Sequence, residues 1–354
     1  MTQPRGGVSG GPISVVVRAR SDPGRTRDHN EDSFLVADLG QERDLTRGGP
    51  HRIGELGSVF LVADGMGGAA AGELASSMAA DSIVKYLGEH WSRDGARSPD
   101  RFAESLRTAV EQANEQLHTY AMENPDVRGM GTTATVAGIL DGDLYLAQVG
   151  DSRGYLVRKG VATQLTRDQS LMQRLVDAGE LTEEEAAQSE RRNIILQALG
   201  PDPRIRVDLS WQGLHRGDTL VICSDGLTGQ VKREEIADLV ERYPDLEQLC
   251  DRLIAIANER GGPDNITVVT VRFDGAGLPS GDASADVGYQ PYPKGGDGVD
   301  GDEEAVAPPT PAAEPAPKAE AALPARRGGS PVVMGAIAVA VLAVLVVLYF
   351  MLTR

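Results

Sequence analysis

The sequence is poor in cysteine, in aromatic residues and in positive charge. Its two cysteines, Cys223 and Cys250, do not form a close pair, which excludes a disulfide framework and a cysteine-based structural zinc site. Aromatic residues make up only 4% of the chain, so a stacking platform for bases is not expected. The 35 Lys and Arg residues are outnumbered by 52 Asp and Glu residues, and this net charge of −17 argues against nucleic-acid binding.

The two ends of the chain differ in composition. The first twelve residues hold no apolar run, so we expect no secretory signal there. Residues 332–352 form an uncharged run of 21 residues, long enough to span the hydrocarbon core as a transmembrane helix. The simpler alternative, a buried core helix, rarely lacks a polar face over this length. Arg326 and Arg327 precede the run, so the positive-inside rule predicts a single-pass protein of the cytoplasmic membrane whose bulk lies in the cytoplasm.

Between these ends we expect one globular domain followed by a linker. Residues 274–331 are rich in Gly, Pro, Ala and acidic side chains and show no apolar period, which predicts a disordered acidic linker. Residues 13–273 show no internal repeat and form the predicted globular domain.

Within this domain, strands and helices follow one another in groups. Apolar runs predict strands at 13–19, 58–64, 132–140, 144–150, 154–160, 218–225 and 265–273. Helical periodicity appears at 72–91, 99–122, 169–178, 182–189, 232–243 and 245–260. Hairpins and helix pairs, rather than strand–helix alternation, favour an α+β fold. We expect a four-layer α-β-β-α sandwich, with two antiparallel sheets flanked by helix pairs.

Acidic residues recur at the borders of the apolar strands. Asp64, Asp151 and Asp225 end strands beside a glycine, while Asp264 and the pair Glu31-Asp32 precede strands. A single Asp-Gly pair is usually a plain turn, but five such sites are hard to explain in that way. Converging carboxylates repel one another unless a cation neutralises them, and ligand sets made only of oxygen suit Mg²⁺ or Mn²⁺.

Six motifs together resemble one family. RDHNEDSF at 27–34, VADGMGGAAAGE at 62–73, GTT at 131–133, VGDSRGY at 149–155, CSDGL at 223–227 and GGPDNITVV at 261–269 match, in order and spacing, the metal-dependent type 2C (PPM) serine/threonine protein phosphatases. The bacterial, membrane-anchored branch is most similar. The resemblance covers about residues 13–273.

The resemblance implies a role for each site residue. Asp64 would bridge two metal ions, Asp225 and Asp264 would complete one site, and Glu31 with the carbonyl of Gly65 would serve the second. Asp32 would orient metal-bound water, and Arg27 would bind the substrate phosphate. Asp151 would hold a third, weaker metal ion together with Asp225, and Asn265 would support the site. Residues 169–200 correspond to the family's mobile flap.

One position departs from the eukaryotic members of the family. They often carry a histidine two residues after the bridging aspartate, proposed as the general acid, whereas this chain has Met66, which cannot donate a proton. His29 lies in the first motif and is a weak alternative.

The function implied is hydrolysis of phosphoserine and phosphothreonine on cytoplasmic proteins by a hydroxide shared between two cations. The implied partners are phosphorylated proteins, including serine/threonine kinases that the enzyme opposes, and the membrane through the C-terminal helix. Two alternatives stay open: a narrow-specificity phosphatase acting on an anti-sigma-factor antagonist, and a catalytically inactive phosphoprotein-binding module.

Overall fold

Two antiparallel sheets form the centre of the fold. The structure is a computed structural model that describes residues 11–40, 45–189, 191, 193–280 and 287–292. Sheet I has the strand order β3 (His51–Arg52), β1 (Ser14–Asp22), β12 (Ile266–Asp274), β11 (Thr219–Cys223), β8 (Arg153–Arg158) and β9 (Val161–Gln164). Sheet II has the order β10 (Asp208–Gly213), β7 (Asp143–Val149), β6 (Ala134–Leu140), β4 (Ser58–Met66) and β2 (Asp32–Asp38), and the short β5 (Gly131–Thr132) pairs with the end of β4.

Helix pairs cover the outer face of each sheet. Helices α1 (Ala69–Tyr86) and α2 (Pro99–Glu123) pack on sheet II, and α6 (Arg233–Arg242) and α7 (Leu246–Glu259) pack on sheet I. The remaining helices are short: α3 (Leu171–Asp177) and α4 (Glu183–Gln188) lie between β9 and β10 in the chain, and α5 (Asp225–Thr228) follows β11. The structure thus confirms two antiparallel sheets with flanking helices.

Strand β4 shows how the apolar sequence produces these layers. Val59, Leu61 and Ala63 face the helices on sheet II, whereas Phe60 and Val62 point into the layer between the sheets. Successive side chains of a strand point to opposite faces, so a strand covered on both faces is apolar at every position. This explains why β4 appears in the sequence as one continuous apolar run.

Two tight hairpins limit the strands at one end of the sheets. Asp141 and Gly142 join β6 to β7 with φ of 49° and 86°, and Lys159 and Gly160 join β8 to β9 with φ of 50° and 74°. Positive φ at both central residues is the requirement of a type I′ turn. These turns fall where the apolar runs predicted at 132–140 and 154–160 end.

Most predicted strands and helices are present with shifts of a few residues, and the exceptions have local causes. The helix predicted over 72–91 is α1 followed by a π-helical turn, Leu87–Trp91. The sequence did not predict β10, because two of its buried positions are the polar Ser210 and Gln212, which break the apolar alternation. It also missed α5, which is a single turn and carries no periodicity.

The described structure continues past residue 273, into the segment predicted as a linker. Leu278 is 2% exposed and joins the layer between the sheets. Residues 287–292 run along β10, where the Trp211 N–H donates to the Gln290 carbonyl (3.0 Å) and the Tyr292 N–H to the Leu209 carbonyl (2.8 Å). The ring of Tyr292 also meets that of Tyr145 edge-on. The first part of the predicted linker therefore belongs to the domain, because it covers the open edge of sheet II.

The rest of the predicted linker, residues 293–331, and the predicted span, residues 332–352, lie outside the described residues. Among the helices of the described ranges, none combines the length and apolar character that a bilayer crossing requires.

Removing residues 276–292 should destabilise the domain. We expect a chain ending at Gly275 to unfold at a lower temperature than one ending at Tyr292, because the shorter chain exposes the edge of β10 and loses the buried Leu278. Burial of one leucine is worth about 2 kcal/mol, which corresponds to a midpoint roughly 4–8 °C lower in a domain of this size. Differential scanning calorimetry of the two chains measures the difference, and equal midpoints would show that residues 276–292 contribute nothing.

Candidate active site

The predicted acids meet where the strand ends of both sheets coincide. In sheet II, Asp32 at the start of β2 lies directly opposite Asp64 near the end of β4. Asp151 comes two residues after the end of β7 in the same sheet. From sheet I, Asp225 follows β11 and Asp264 precedes β12, its antiparallel neighbour. Strands that end at the same edge bring these five acids together between the sheets.

The acids lie close enough to influence one another's ionisation. Burial, followed by the charge of Asp32, raises the pKa of Asp64 well above its ordinary value, and further increases come from Asp225, Asp151 and Asp264. Burial also raises the pKa of Asp151 to about 8. A carboxylate that is removed from water and faces others of its kind disfavours the charged form. The cluster is therefore a site of concentrated negative potential.

The backbone of Asp64 is fixed by two threonines. Its N–H donates to Thr133 Oγ1 (2.9 Å), while its carbonyl accepts from the Thr133 N–H (2.8 Å) and from Thr132 Oγ1 (2.9 Å). Thr133 Oγ1 is in turn 2.8 Å from Ser152 Oγ. These contacts hold the central carboxylate on a rigid strand end, and they explain what the GTT motif contributes.

Glycines allow Glu31 to approach Asp64. The Gly65 N–H donates to the Glu31 carbonyl (3.2 Å). A Cβ at Gly65 would lie 2.5 Å from that carbonyl oxygen, and a Cβ at Gly72 would lie 1.8 Å from Glu31 Oε2. Contacts of this length are impossible for real side chains, so both positions require glycine. The Glu31 carboxylate thus lies against the first turn of α1, and the Glu31 carbonyl lies against the Gly65 backbone.

Asp32 is held by residues from the opposite sheet. Its Oδ2 accepts from Ser224 Oγ (2.8 Å), and Ser224 Oγ accepts from the Thr267 N–H (3.0 Å). Burial raises the pKa of Asp32 to about 7, although the hydrogen bonds from Thr267 and Ser224 oppose the rise. Its second oxygen, Oδ1, is buried with no hydrogen-bond partner. Sequence analysis did not single out Ser224, because serine is a common residue in turns.

Asn265 positions the loop that carries Arg27 and Glu31. Its Oδ1 accepts from the Glu31 N–H (2.8 Å), and its Nδ2 donates to the carbonyls of His29 (2.8 Å) and Pro23 (3.0 Å). A buried amide that satisfies three backbone groups fixes the path of a loop. Asn265 therefore connects the start of β12 to the loop that precedes β2.

Arg27 lies at the exposed edge of the cluster. Its Nη2 is 2.8 Å from Asp264 Oδ2, and its side chain is 52% exposed. The guanidinium is thus paired with one acid and still open to solvent.

Neither Met66 nor His29 provides a buried proton donor, since the His29 side chain is exposed and Met66 has no titratable group.

Both ends of the predicted flap, residues 169–200, are attached beside the acids. The Gln169 N–H donates to the Gly150 carbonyl, and the Gly150 N–H donates to Gln169 Oε1, each at 2.9 Å. At the other end, Leu199 and Thr132 exchange two backbone hydrogen bonds of 2.9 and 3.0 Å. Gly150 precedes Asp151, and Thr132 pairs with Gly65. The sequence predicted the segment but not these attachment points.

The donor set fits hard divalent cations. All the donors are oxygens, and Asp32 and Asp151 each keep one buried oxygen without a hydrogen-bond partner. In the part of the chain that the structure describes, no group of three or more His, Cys, Asp or Glu side chains could hold an ion as it stands. Magnesium-like ions commonly keep several waters and use only one or two carboxylates each. The acids present are thus sufficient for such ions.

Comparison with known proteins decides the family. Residues 44–268 match the model of protein phosphatase 2C. The chain belongs to this family. It is 38% identical over 256 residues to the serine/threonine phosphatase stp of Listeria monocytogenes, covering 72% of this chain and 94% of that protein.

Two solved structures agree with the phosphatase 2C assignment. The S. agalactiae serine/threonine phosphatase matches with a TM-score of 0.63 and 33% identity, over 73% of this chain and 99% of that one. The catalytic domain of the serine/threonine phosphatase PstP, in complex with two manganese ions, matches with a TM-score of 0.60 and 33% identity, over 74% and 99%. The resemblance found in the motifs is confirmed.

Asp151 offers a test that separates a metal ligand from a turn residue. We expect Asp151→Asn, without metal, to unfold at the same or a higher temperature than the unmodified protein, because Oδ1 forms no hydrogen bond that could be lost. We expect the manganese concentration for half-maximal activity to rise about tenfold. If instead the dependence of activity on manganese is unchanged and the free energy of unfolding falls by about 1 kcal/mol, Asp151 belongs to the turn.

Proposed function

We propose that the chain is a metal-dependent serine/threonine phosphatase that hydrolyses phosphoserine and phosphothreonine on proteins. The observation that carries this proposal is the convergence of five carboxylates from two sheets at one edge, in a chain of the phosphatase 2C family. No structural role requires so much negative charge in one place. The same arrangement is what a centre of two divalent cations needs.

Asp64 would hold both cations, with Asp225 and Asp264 completing one site and Glu31 and the Gly65 carbonyl the other. Bound there, the cations would neutralise phosphate charge and lower the pKa of water. Asp151 would add a third, weaker site, and the oxygen donors suit Mg²⁺ as well as Mn²⁺.

The protein's own groups bind and orient the reactants. Arg27 is exposed on one side and can bind two phosphate oxygens with its planar guanidinium while Asp264 holds the other side. Asp32 Oδ1 is buried without a hydrogen-bond partner, so it can accept a hydrogen bond from the attacking water and orient it. The Ser224 hydrogen bond keeps that carboxylate in one orientation.

The structure argues against an inactive phosphoprotein-binding module but does not distinguish between a broad and a narrow substrate range. An inactive phosphoprotein-binding module would not need the full set of acids, and here all of them are present and converge. A narrow-specificity phosphatase acting on an anti-sigma-factor antagonist uses the same centre and differs only in its substrate. We therefore favour an active enzyme that opposes serine/threonine kinases.

The role of Asp64 can be tested directly. Asp64→Asn should lower kcat on a phosphothreonine peptide by several orders of magnitude at saturating manganese, while the protein stays folded, because Asn cannot supply the charge that two cations share. Asp38→Asn is a matched control, since Asp38 is also a buried acid, at the opposite end of β2. Near-normal turnover of Asp64→Asn would contradict the proposed mechanism.

We also propose that residues 332–352 anchor the enzyme in the cytoplasmic membrane. The argument is the uncharged 21-residue run with Arg326 and Arg327 before it. The full chain should fractionate with membranes, and a chain ending at Tyr292 should be soluble. Protease added to the outside of intact cells should leave the catalytic domain uncut, and its digestion there would reverse the proposed orientation.

A further inference from the structure

A cavity lined by charged and apolar residues lies at the end of sheet I opposite to the acids. It has a volume of about 390 Å³ and lies between the β8–β9 hairpin, the start of β11 and the end of β12. Arg272, in its wall, comes six residues after Ile266, which starts β12 at the acid end. At the rise of a strand this separation is about 20 Å. The cavity is therefore distinct from the candidate active site.

Positive charge predominates in the lining. Four cations contribute to it, against two carboxylates: Arg158, Lys159, Arg216 and Arg272 against Asp218 and Glu241. Asp218 is already neutralised, because its two oxygens accept from Arg158 Nε (2.9 Å) and Nη2 (2.7 Å). Arg216 Nε is 3.5 Å from Asp274 Oδ1, a carboxylate just outside the lining. Among the described residues this leaves Lys159 and Arg272 as the two lining cations that form no ion pair.

Two of the guanidinium groups lack part of their normal complement of partners. Arg272 forms no ion pair with any carboxylate of the described residues, and its nitrogens donate to Thr219 Oγ1 (3.4 Å) and to the Pro244 carbonyl. Burial lowers its pKa, and the charge of Asp245 opposes this decrease only in part. Arg158 is only 6% exposed, and its Nη1 is buried with no hydrogen-bond partner.

We propose that this cavity binds a phosphate group, either free inorganic phosphate or the phosphoryl group of a phosphorylated protein. A doubly charged oxyanion would neutralise Lys159 and Arg272 and supply an acceptor for Arg158 Nη1, which has none. Lys159, at the exposed tip of the hairpin, would approach from the rim. Val157, Val240 and Pro244 also line the cavity, so its walls can contact the apolar part of a side chain that carries the phosphate.

One carboxylate opposes this binding and therefore makes a useful probe. Glu241 reaches the hairpin, since a Cβ at Gly160 would lie 2.4 Å from Glu241 Oε1. The side chain is exposed, so Glu241→Gln removes its charge without disturbing the core. We expect this variant to bind phosphate about fivefold more tightly, because one repulsive charge at contact distance in water is removed.

The test is isothermal titration of inorganic phosphate into the full-length protein in detergent with Mg²⁺. We expect two binding events in the unmodified protein, one at the catalytic centre and one in the cavity. Lys159→Asn, which tolerates the positive φ of that position, should weaken the second event about fivefold. The double variant Lys159→Asn, Arg272→Gln should abolish it. Inhibition by phosphate of the hydrolysis of a small aryl phosphate should stay unchanged in both variants, because the catalytic centre is about 20 Å away.

Arg20→Gln is the matched control, because Arg20 is an exposed arginine of the same sheet that already has carboxylate partners, Glu247 and Asp251. This variant should keep both events. A phosphoserine peptide with a methylene group in place of the bridging oxygen identifies the source: tighter binding than free phosphate indicates a phosphoprotein, and weaker binding indicates the free anion. A single binding event in the unmodified protein, or two events in the double variant, overturns the proposal.

Discussion

The repulsion among buried carboxylates is the constraint on which the rest of this structure depends. Asp64, Asp32, Asp151, Asp225 and Asp264 are held at the junction of two sheets, where each raises the cost of ionising the next. A site of this kind lowers the stability of the protein without its cations. The acids stay together because hydrogen bonds hold the surrounding backbone in a fixed conformation.

Several contacts provide that rigidity, and they come from different parts of the chain. Thr133 fixes Asp64 within sheet II, Ser224 joins Asp32 to sheet I, and Asn265 holds the loop that precedes β2. Each is a buried polar residue that forms at least one hydrogen bond to the backbone or to a carboxylate of the site. They explain how acids distant in sequence keep a common geometry.

Most strands, and the acids at their ends, could be predicted from the sequence. The supporting contacts and the end of the domain could not. Strands such as β4 are apolar at every position because helices and a second sheet cover them, so their ends, and the acids there, were visible. Strand β10 was not, because Ser210 and Gln212 occupy buried positions. The contacts of Gln169 and Ser224 are long-range pairings of common residues, and no local pattern reveals them. The extent of the domain was underestimated, because Tyr292 and its neighbours lie in a segment of linker-like composition.

The two attachment points of residues 169–200 have a thermodynamic consequence. Gln169 is bonded to Gly150, the neighbour of Asp151, and Leu199 is bonded to Thr132, which also binds the Asp64 carbonyl. A protein that displaces this segment on docking must strain the backbone that presents both acids. Because coupling between two binding events is reciprocal, occupancy of the centre must then alter affinity for whatever docks on the segment by the same factor. Docking on this segment and cation binding at the centre are therefore thermodynamically coupled through these two attachment points.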